Sequence, residues 1–342
     1  MKSDFNNEKI KVIQFGLGAM GSMMAKVMLE KEDLEIVAAI DRKPENAGKD
    51  LSEVIGLKNK VGVIVSDNPE RVFQSVKADI MLHAAVSYVP KVWEQIKGAV
   101  KAGISVITIA EEMGYPFLKY IDLSREMNYT AKAHGARILG SGINPGFAME
   151  LMPLLISGIC KEVTSVKVTR VIDFSPFGPA IQKNIGIGME AKDFKKGVKE
   201  GKLPLHIGLP ESLSLLAYGL RWELDKIEES RAPVIARKSI NVPGYMKIPK
   251  GRVSGFDHRC FGYKNRKKII ILEELGRVDP KEEYKNTIII EGSPRIVESI
   301  NVPSGNITTT SHAINLIPVV LKAHPGLLTM LDLPVAPCLH LK

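Results

Sequence analysis

A glycine-rich turn near the N-terminus constrains the fold of this chain most strongly. The apolar residues 11–15 run into a Gly-x-Gly-x-x-Gly motif, and a helical pattern follows it. In such a motif Gly16 permits a tight turn, Gly18 lets the backbone approach a pyrophosphate, and Gly21 lets the helix pack closely on the strand. The phosphates would lie at the N-terminus of that helix. We therefore predict a dinucleotide-binding turn of five residues: Gly16, Gly18, Ala19, Met20 and Gly21.

An acidic residue ends the second predicted strand. Residues 35–40 are apolar, and Asp41 follows them at about 20 positions beyond Gly21, where a carboxylate typically binds the ribose hydroxyls of NAD. Arg42 comes next, and a guanidinium at this place can pair with the 2′-phosphate of NADP. The predicted cofactor is therefore NAD or NADP.

The order of strands and helices predicts two domains. Six apolar strands, the third at residues 61–65, alternate with helices up to residue 139, which is typical of a doubly wound parallel sheet. A helix over residues 148–159, with Pro153 expected to kink or restart it, precedes a strand over residues 163–174. Several strands then follow one another, as in an antiparallel sheet. We predict an α/β fold with three parts: an N-terminal Rossmann domain over residues 1–145, a substrate-binding and dimerisation α+β domain with a mainly antiparallel sheet over residues 146–305, and a C-terminal helical segment over residues 306–342 that returns to the first domain.

Charge and cysteine usage argue against several classes of protein. The net charge is +9, but the basic residues are dispersed among acidic ones, so no nucleic-acid partner is expected. Cys160, Cys260 and Cys338 are far apart and lack Cys-x-x-Cys spacing, which argues against a disulfide framework and a metal site. The N-terminus has no apolar signal core, and no uncharged run is long enough to span a membrane. We expect a cytoplasmic protein.

Residues that directly follow strands are candidates for a binding site, because ligands of open α/β sheets bind at the carboxyl ends of the strands. After the fourth strand, Ala84 and Ala85 would admit a cofactor, while His83 is either a cofactor contact or a hydrogen-bonded core histidine. After the sixth strand, Asn144 could bind the nicotinamide amide or the substrate, or could simply belong to an Asn-Pro-Gly turn.

Two adjacent carboxylates, Glu111 and Glu112, follow the fifth strand. A charge at this partly buried place needs a partner. If the partner is a substrate ammonium, the carboxylate can hold the amine and accept its proton before hydride leaves the carbon. Alternatively, one or both glutamates cap the next helix or face water. The sequence does not choose between the two.

The second domain offers three further candidates. Arg170 lies within the strand predicted over residues 163–174, where it is either a clamp for a substrate carboxylate or a residue on the solvated face. His206 and His258 are weaker candidates, because a histidine without a known partner indicates little.

Six segments of the chain match the motifs of a known enzyme family. They are residues 16–21, 39–42, 108–112, 142–147, 206–212 and 323–328. On these segments the chain resembles the 2,4-diaminopentanoate dehydrogenase family, and less closely the dihydrodipicolinate reductases and the native amine dehydrogenases. The first two segments occur in many dehydrogenases, whereas the later ones are more selective.

The resemblance implies an activity and a set of site residues. It implies NAD(P)-dependent oxidative deamination of 2,4-diaminopentanoate at C4, as in ornithine breakdown, by a homodimer. The glutamate that binds the reacting amine corresponds to Glu111 or Glu112. The resemblance assigns no other site residue; taken together with the positions discussed above, the candidates for substrate binding are Asn144, Phe147, Arg170 and His206.

Other functions remain open at this point. Relatives with a similar scaffold act on simpler amines and ketones. A dihydrodipicolinate-type reductase of C=N bonds is a second alternative, but the stretch after the sixth strand lacks the His-His pair with a nearby lysine that those enzymes use. A non-catalytic dinucleotide sensor is a third, and it would need no carboxylate pair beside the nicotinamide.

Overall fold

The computed structural model describes residues 8–175, 178–203, 205–242, 244, 246–278, 285–301 and 305–340. The chain divides into two compact units. Unit 1 comprises Met1–Phe147 and Gly305–Lys342, and unit 2 comprises Ala148–Ser304.

The first segment of unit 1 alternates strands with helices, as the sequence predicts. Its elements in chain order are β1 (Ile10–Phe15), α1 (Ala19–Leu29), β2 (Leu34–Ile40), α2 (Leu51–Ile55), β3 (Val65–Ser66), α3 (Pro69–Ser75), β4 (Ile80–His83), α4 (Val89–Lys101), β5 (Ser105–Thr108), α5 (Ile121–Ala133) and β6 (Arg137–Gly140).

The prediction of a third strand over residues 61–65 is wrong for most of its length. β3 holds only Val65–Ser66. The carboxylate of Asp50 accepts hydrogen bonds from the backbone N–H groups of Val61 at 3.1 Å and Gly62 at 2.8 Å. Gly62 also has a positive φ of 84°, which an extended strand does not allow. A side chain therefore binds the backbone of a segment that apolar composition alone assigns to the sheet.

Unit 2 contains helices followed by a run of strands. After a π-helical turn (Phe147–Leu151), its elements are α6 (Met152–Ser157), β7 (Glu162–Asp173), α7 (Pro179–Asn184), α8 (Ala191–Lys199), α9 (Leu209–Gly219), β8 (Lys226–Ile235), β9 (Ile240–Val242), β10 (Met246–Ile248), β11 (Val253–Lys264), β12 (Lys267–Arg277), β13 (Lys285–Ser293) and β14 (Ile296–Ile300). Pro153 lies in the first turn of α6, where its missing N–H is tolerated. The helix thus restarts at this proline instead of running unbroken from residue 148.

The main sheet of unit 2 has six strands in the order β14-β13-β7-β12-β11-β8. Only β7 and β12 pair in parallel, and the other neighbours are antiparallel. The prediction of an α+β domain with a mainly antiparallel sheet is confirmed. One face of this sheet packs against α9, with Val168, Leu213 and Leu272 in the buried core.

The chain ends in unit 1 with α10 (Gly305–Asn315), α11 (Ile317–Lys322) and β15 (Gly326–Leu328). β15 pairs in parallel with β6 and completes a seven-stranded sheet in the order β15-β6-β5-β4-β1-β2-β3. The doubly wound parallel sheet is confirmed, with one strand more than predicted. β1 lies between β4 and β2, so the order reverses at β1, and such a switch point is where open α/β sheets bind their ligands.

Candidate active site

The glycine turn after β1 has the geometry that its motif requires. Gly16 has a φ of +87°, and a Cβ atom there would lie 2.6 Å from the carbonyl oxygen of Ala84. A Cβ atom at Gly21 would lie 1.8 Å from the carbonyl oxygen of Gly16. Around Gly18, by contrast, no atom lies within 4 Å of the Cβ position. The turn is therefore closed toward the protein and open on the side where a pyrophosphate would approach.

The N-terminus of α1 also fits a phosphate group. Gly18 and Ala19 are exposed and Met20 is half-buried. No side chain caps the helix at Gly18, and its first turn carries no acidic residue. The first N–H groups of a helix need acceptors and favour an anion. The five predicted turn residues can thus hold the phosphates of a dinucleotide.

Asp41, at the end of β2, is hydrogen-bonded to the glycine turn. Its carboxylate is buried and accepts hydrogen bonds from the backbone N–H groups of Leu17 at 2.7 Å and Lys43 at 2.9 Å. A carboxylate has about four acceptor positions, so two bonds leave capacity for ribose hydroxyls. Arg42 is exposed directly beside it. The residues predicted to contact the adenosine ribose therefore lie next to the turn.

At the end of β4, the structure favours the core interpretation of His83. Its ring is fully buried, with Nδ1 2.8 Å from Thr108 Oγ1 and Nε2 2.8 Å from Gln95 Oε1. Burial lowers the pKa of His83 to about 4, so the ring is neutral. Because both ring nitrogens have protein partners, its side chain has no hydrogen-bonding group left for a cofactor. At this strand end, the half-buried Ala84 and the exposed Ala85 are therefore the residues available to contact a cofactor.

The two glutamates after β5 lie in one 3₁₀ turn, Glu111–Gly114, but in different environments. Glu112 is 4% exposed, and its carboxylate accepts a hydrogen bond from the N–H of Val89, the first residue of α4, at 3.1 Å. Its other oxygen lies 3.3 Å from Lys119 Nζ. Glu112 therefore caps α4. Glu111 is half-buried at the start of the turn, which leaves it as the candidate for the reacting amine.

The loop after β6 lies against this 3₁₀ turn. The N–H of Gly142 donates to the carbonyl of Pro145 at 2.8 Å, which closes the loop. A Cβ atom at Gly114 would lie 2.5 Å from Pro145 Cβ, so the two segments touch. Asn144 in this loop is buried. The structure thus brings Glu111 and Asn144 to the same edge of the sheet.

Helix α10 adds residues that the sequence analysis missed. The N–H of Ile143 donates to Thr309 Oγ1 at 3.3 Å. The rings of Phe147 and His312 pack with their centroids 5.1 Å apart. Burial lowers the pKa of His312 to about 4, and its Nε2 atom has no hydrogen-bond partner among the described residues. The available signal was the polar run at residues 308–312 within the predicted C-terminal helical segment.

In unit 2, Arg170 is buried, so the prediction that it could lie on a solvated face is excluded. It is 4% exposed and belongs to a row of paired residues that crosses the sheet. Directly paired residues of neighbouring strands share one face. We call this set the polar row, and its members are Asn286 on β13, Arg170 on β7, Glu274 on β12, His258 on β11 and Arg231 on β8.

The surroundings of Arg170 are acidic. Burial lowers the pKa of its guanidinium, while the buried carboxylates of Glu274 and Glu150 raise it. The guanidinium donates no hydrogen bond to any residue that the structure describes. His206, a predicted substrate residue, has Nδ1 3.8 Å from Glu274 Oε2, so it joins the same cluster.

The other members of this cluster were not predicted, although the strand pattern contains a signal. Along β7 the residues that face the core alternate as Val166, Val168, Arg170. Glu274 on β12 and Asn286 on β13 likewise lie two residues from a buried apolar residue of the same strand, on the same face of the sheet. A polar residue at a core-facing position indicates either a satisfied buried group or a binding site.

The described residues offer neither a metal-ligand cluster nor a membrane-spanning helix. No group of three or more His, Cys, Asp or Glu side chains is arranged to hold a metal ion in the part of the chain that the structure describes. Every helix there is too short or too polar to cross a membrane.

Comparison with known proteins gives matches along nearly the whole chain. Residues 147–341 match the family model for the 2,4-diaminopentanoate dehydrogenase C-terminal domain, and residues 10–108 match the model for the N-terminus of dihydrodipicolinate reductase. The 2,4-diaminopentanoate dehydrogenase of Acetoanaerobium sticklandii is 38% identical over 96% of this chain and 94% of its own. An amine dehydrogenase of Streptomyces virginiae is 22% identical over 96% of this chain and 98% of its own.

The fold comparison agrees with the sequence comparison. The structure of an amine dehydrogenase from Mycobacterium smegmatis superimposes with a TM-score of 0.85 at 28% identity, covering 97% of this chain and 98% of that one.

Proposed function

This chain belongs to the 2,4-diaminopentanoate dehydrogenase family and is an amine-oxidising dehydrogenase, and from that premise we propose that it oxidatively deaminates 2,4-diaminopentanoate at C4 with NAD(P). The products are 2-amino-4-oxopentanoate, ammonia and NAD(P)H, and the reaction belongs to ornithine degradation. The observation that carries the proposal is the identity to a 2,4-diaminopentanoate dehydrogenase over nearly the full length of both chains.

A nicotinamide cofactor, when bound, supplies the acceptor for the hydride that leaves C4. In this chain the N–H groups at the start of α1 would hold its pyrophosphate, and Asp41 would accept hydrogen bonds from the ribose hydroxyls. Ala84 and Ala85 leave room beside the glycine turn, and Asn144 would bind the nicotinamide amide or the substrate. The closed inner side and open outer side of the turn support this assignment.

Glu111 acts on the reacting amine. An ammonium at C4 has no lone pair with which to form a C=N bond, so it must lose a proton before hydride departs. The half-buried carboxylate of Glu111 holds the ammonium and accepts that proton. That proton passes to solvent, and the carboxylate then takes a proton from the water that attacks the iminium carbon. It delivers this proton to the nitrogen of the resulting carbinolamine, the C–N bond breaks, ammonia leaves, and the hydroxyl proton is released as the ketone forms. Glu112 has a different role, because its cap on α4 holds the 3₁₀ turn that carries Glu111.

Arg170 binds the substrate carboxylate in this proposal. A guanidinium presents a planar fork of donors that matches a carboxylate, and that of Arg170 has no hydrogen-bond acceptor among the described residues. Phe147 and His206 are the remaining substrate-binding candidates.

We further propose that the enzyme is a cytoplasmic homodimer, as the family resemblance implies. Its proposed partner is the diamino acid substrate, and neither nucleic acid nor a membrane.

The proposed reaction predicts reduction of cofactor by the diamino acid. The purified protein, mixed with 2,4-diaminopentanoate and NAD or NADP, is expected to raise the absorbance of the reduced cofactor and to release ammonia. Oxidation of 2-aminopentane without any oxidation of the diamino acid would point instead to an amine dehydrogenase for simple substrates. Binding of cofactor with no oxidation of any amine would favour the dinucleotide sensor.

Asp41→Ala is expected to weaken NAD binding more than NADP binding. The change removes acceptors for the ribose hydroxyls of NAD, whereas for NADP it also removes the repulsion between a carboxylate and the 2′-phosphate. Titration of the protein fluorescence with each cofactor measures the two dissociation constants. The carboxylate of Asp41 also accepts a hydrogen bond from the N–H of Leu17, so its removal can destabilise the glycine turn. Thermal unfolding should therefore be measured in parallel. An equal loss of affinity for both cofactors would contradict the ribose assignment.

A further inference from the structure

Thr108, the last residue of β5, is hydrogen-bonded to the backbone that precedes Glu111. Its Oγ1 atom accepts from the N–H of Ala110 at 3.1 Å. Ala110 is 4% exposed and is the N-cap residue of the 3₁₀ turn that begins at Glu111. A buried N–H without an acceptor is strongly disfavoured. The hydroxyl of Thr108 therefore helps to fix the backbone one residue before Glu111.

Thr108 is itself held by the end of the neighbouring strand. His83 on β4 lies directly beside it in the parallel sheet, and its Nδ1 atom is 2.8 Å from Thr108 Oγ1. On its other side the ring reaches α4, where Nε2 lies 2.8 Å from Gln95 Oε1. His83 and Thr108 are both fully buried. We call Gln95, His83 and Thr108 the support network.

The hydrogen bonds of the support network have a fixed direction. Gln95 presents a carbonyl oxygen, which can only accept, so His83 donates from Nε2. Burial lowers the pKa of His83 to about 4. The neutral ring carries one N–H, so its Nδ1 atom accepts the hydroxyl proton of Thr108. A lone pair of Thr108 Oγ1 then accepts from Ala110 N–H. Each donor on this path has an acceptor, and the loss of any side chain leaves a buried group unpaired.

A second link joins the turn to the same helix. On the other side of Glu111, the carboxylate of Glu112 accepts from the N–H of Val89, the first residue of α4, at 3.1 Å. The residues before and after Glu111 are thus both connected to α4, one through the support network and one directly. The buried face of α4 packs in the core of unit 1. A packed helix is a rigid support for a side chain that must hold one position.

Stability alone does not require polar residues at this place. Replacing both partners of a buried hydrogen bond by apolar groups of the same shape can leave stability nearly unchanged. Two strand ends and a helix nevertheless contribute three polar side chains here, and the path that they form ends at the backbone beside Glu111. Its position therefore points to a role in placing that glutamate.

We propose that Gln95, His83 and Thr108 are positioning residues for Glu111, which hold its carboxylate within reach of the reacting amine through the backbone of Ala110. This inference rests on the proposed function, in which Glu111 is the general base. It adds that the rate depends on a path of hydrogen bonds that begins on α4. A base must lie within hydrogen-bond reach of the proton that it removes, and a displacement of about 1 Å can lower a rate about 10²-fold.

Thr108→Val keeps the shape of the side chain and removes the hydroxyl. It should lower kcat for 2,4-diaminopentanoate about tenfold, because Ala110 N–H loses its acceptor and the turn shifts. The cofactor dissociation constant, measured by fluorescence titration, should stay within about twofold. Thr108→Ser restores the hydroxyl and should return kcat to within about twofold of the wild-type value. A residue that only filled the core would show the opposite order, since valine fills the space of threonine better than serine does.

A double variant tests whether the network acts through Glu111. Once Glu111 is replaced by glutamine, the position of this side chain no longer determines the removal of the proton. Adding Thr108→Val to Glu111→Gln should therefore lower kcat by less than about twofold. An equal tenfold loss in both backgrounds would show that Thr108 supports something other than the base, and the proposal would be wrong.

Ser105 provides a matched control at the other end of β5. It is 1% exposed, and its Oγ atom accepts from the N–H of Arg137 at 3.3 Å. Ser105→Ala should lower the temperature of thermal unfolding without lowering kcat. Circular dichroism checks that each variant is folded. If Thr108→Val does not fold, Gln95→Met replaces it, because Gln95 is half-buried on α4 and its loss leaves His83 Nε2–H without an acceptor. This variant should lower kcat about threefold.

The outcomes separate this proposal from the proposed function. If Glu111→Gln loses most activity while folded Thr108→Val keeps the wild-type kcat, the positioning role is wrong and the proposed function stands. If Thr108→Ser is as slow as Thr108→Val, the hydroxyl is not the group that matters, and the positioning role is again wrong. If the wild-type protein oxidises no amine, the proposed function fails, and the positioning role fails with it.

Discussion

Glu111→Gln is expected to lower kcat for 2,4-diaminopentanoate by about 10²–10⁴-fold, the usual contribution of a general base. Glutamine keeps the size and the hydrogen-bonding oxygen of glutamate but cannot accept the proton that the C4 ammonium must lose. Cofactor affinity should stay unchanged, because the glycine turn and Asp41 are separate from the 3₁₀ turn that holds Glu111. Steady-state kinetics gives kcat, and fluorescence titration gives the cofactor dissociation constant.

Glu112→Gln is the matched control for this experiment. The variant loses the ion pair with Lys119 and the negative charge at the N-terminus of α4, while its oxygen can still accept from Val89 N–H. We expect it to retain most of the chemistry and to lose about 1 kcal/mol of unfolding free energy. Full activity in Glu111→Gln, or an equal fall of kcat in both variants, would contradict the assignment of Glu111 as the base.

The geometry of the glycine turn could be predicted in detail because its requirements are local. The φ of Gly16 and the contact between Gly21 and the preceding turn depend on a few consecutive residues, and the motif states them directly. The alternation of strands and helices is also a local signal, and it predicted the parallel sheet correctly. It missed β15 because a strand of three residues, Gly326–Leu328, is too short to show a period.

The choice between Glu111 and Glu112 could not be made from the sequence. Both follow β5 and have the same chemistry, and what separates them is the N–H of Val89 at the start of another helix. The polar row could not be predicted from the sequence for the same reason. Asn286, Arg170 and Glu274 become neighbours only through the register of three strands that are far apart in the chain. A polar residue at a core-facing position of a strand indicated a possible site, but which residues surround it depends on the tertiary structure.

Arg170→Lys is expected to raise KM for 2,4-diaminopentanoate about 30-fold. The lysine keeps a positive charge beside Glu274 and Glu150, so the variant does not remove the charge that acts on these carboxylates. It replaces a planar fork of donors with a single ammonium, which cannot form two parallel hydrogen bonds with a carboxylate. The loss of one hydrogen bond between charged groups accounts for this size of effect. Initial rates over a range of substrate concentrations measure KM.

The same variant distinguishes a carboxylate clamp from a structural arginine when other substrates are used. KM for 4-aminopentanoate should rise as it does for the diamino acid, because both carry the carboxylate. KM for 2-aminopentane should stay within about twofold of the wild-type value, because that amine has nothing for the fork to bind. A structural role would act through the shape of the sheet and would reduce activity toward all three substrates alike. An equal loss for 2-aminopentane would therefore place the carboxylate-binding residue elsewhere in the chain.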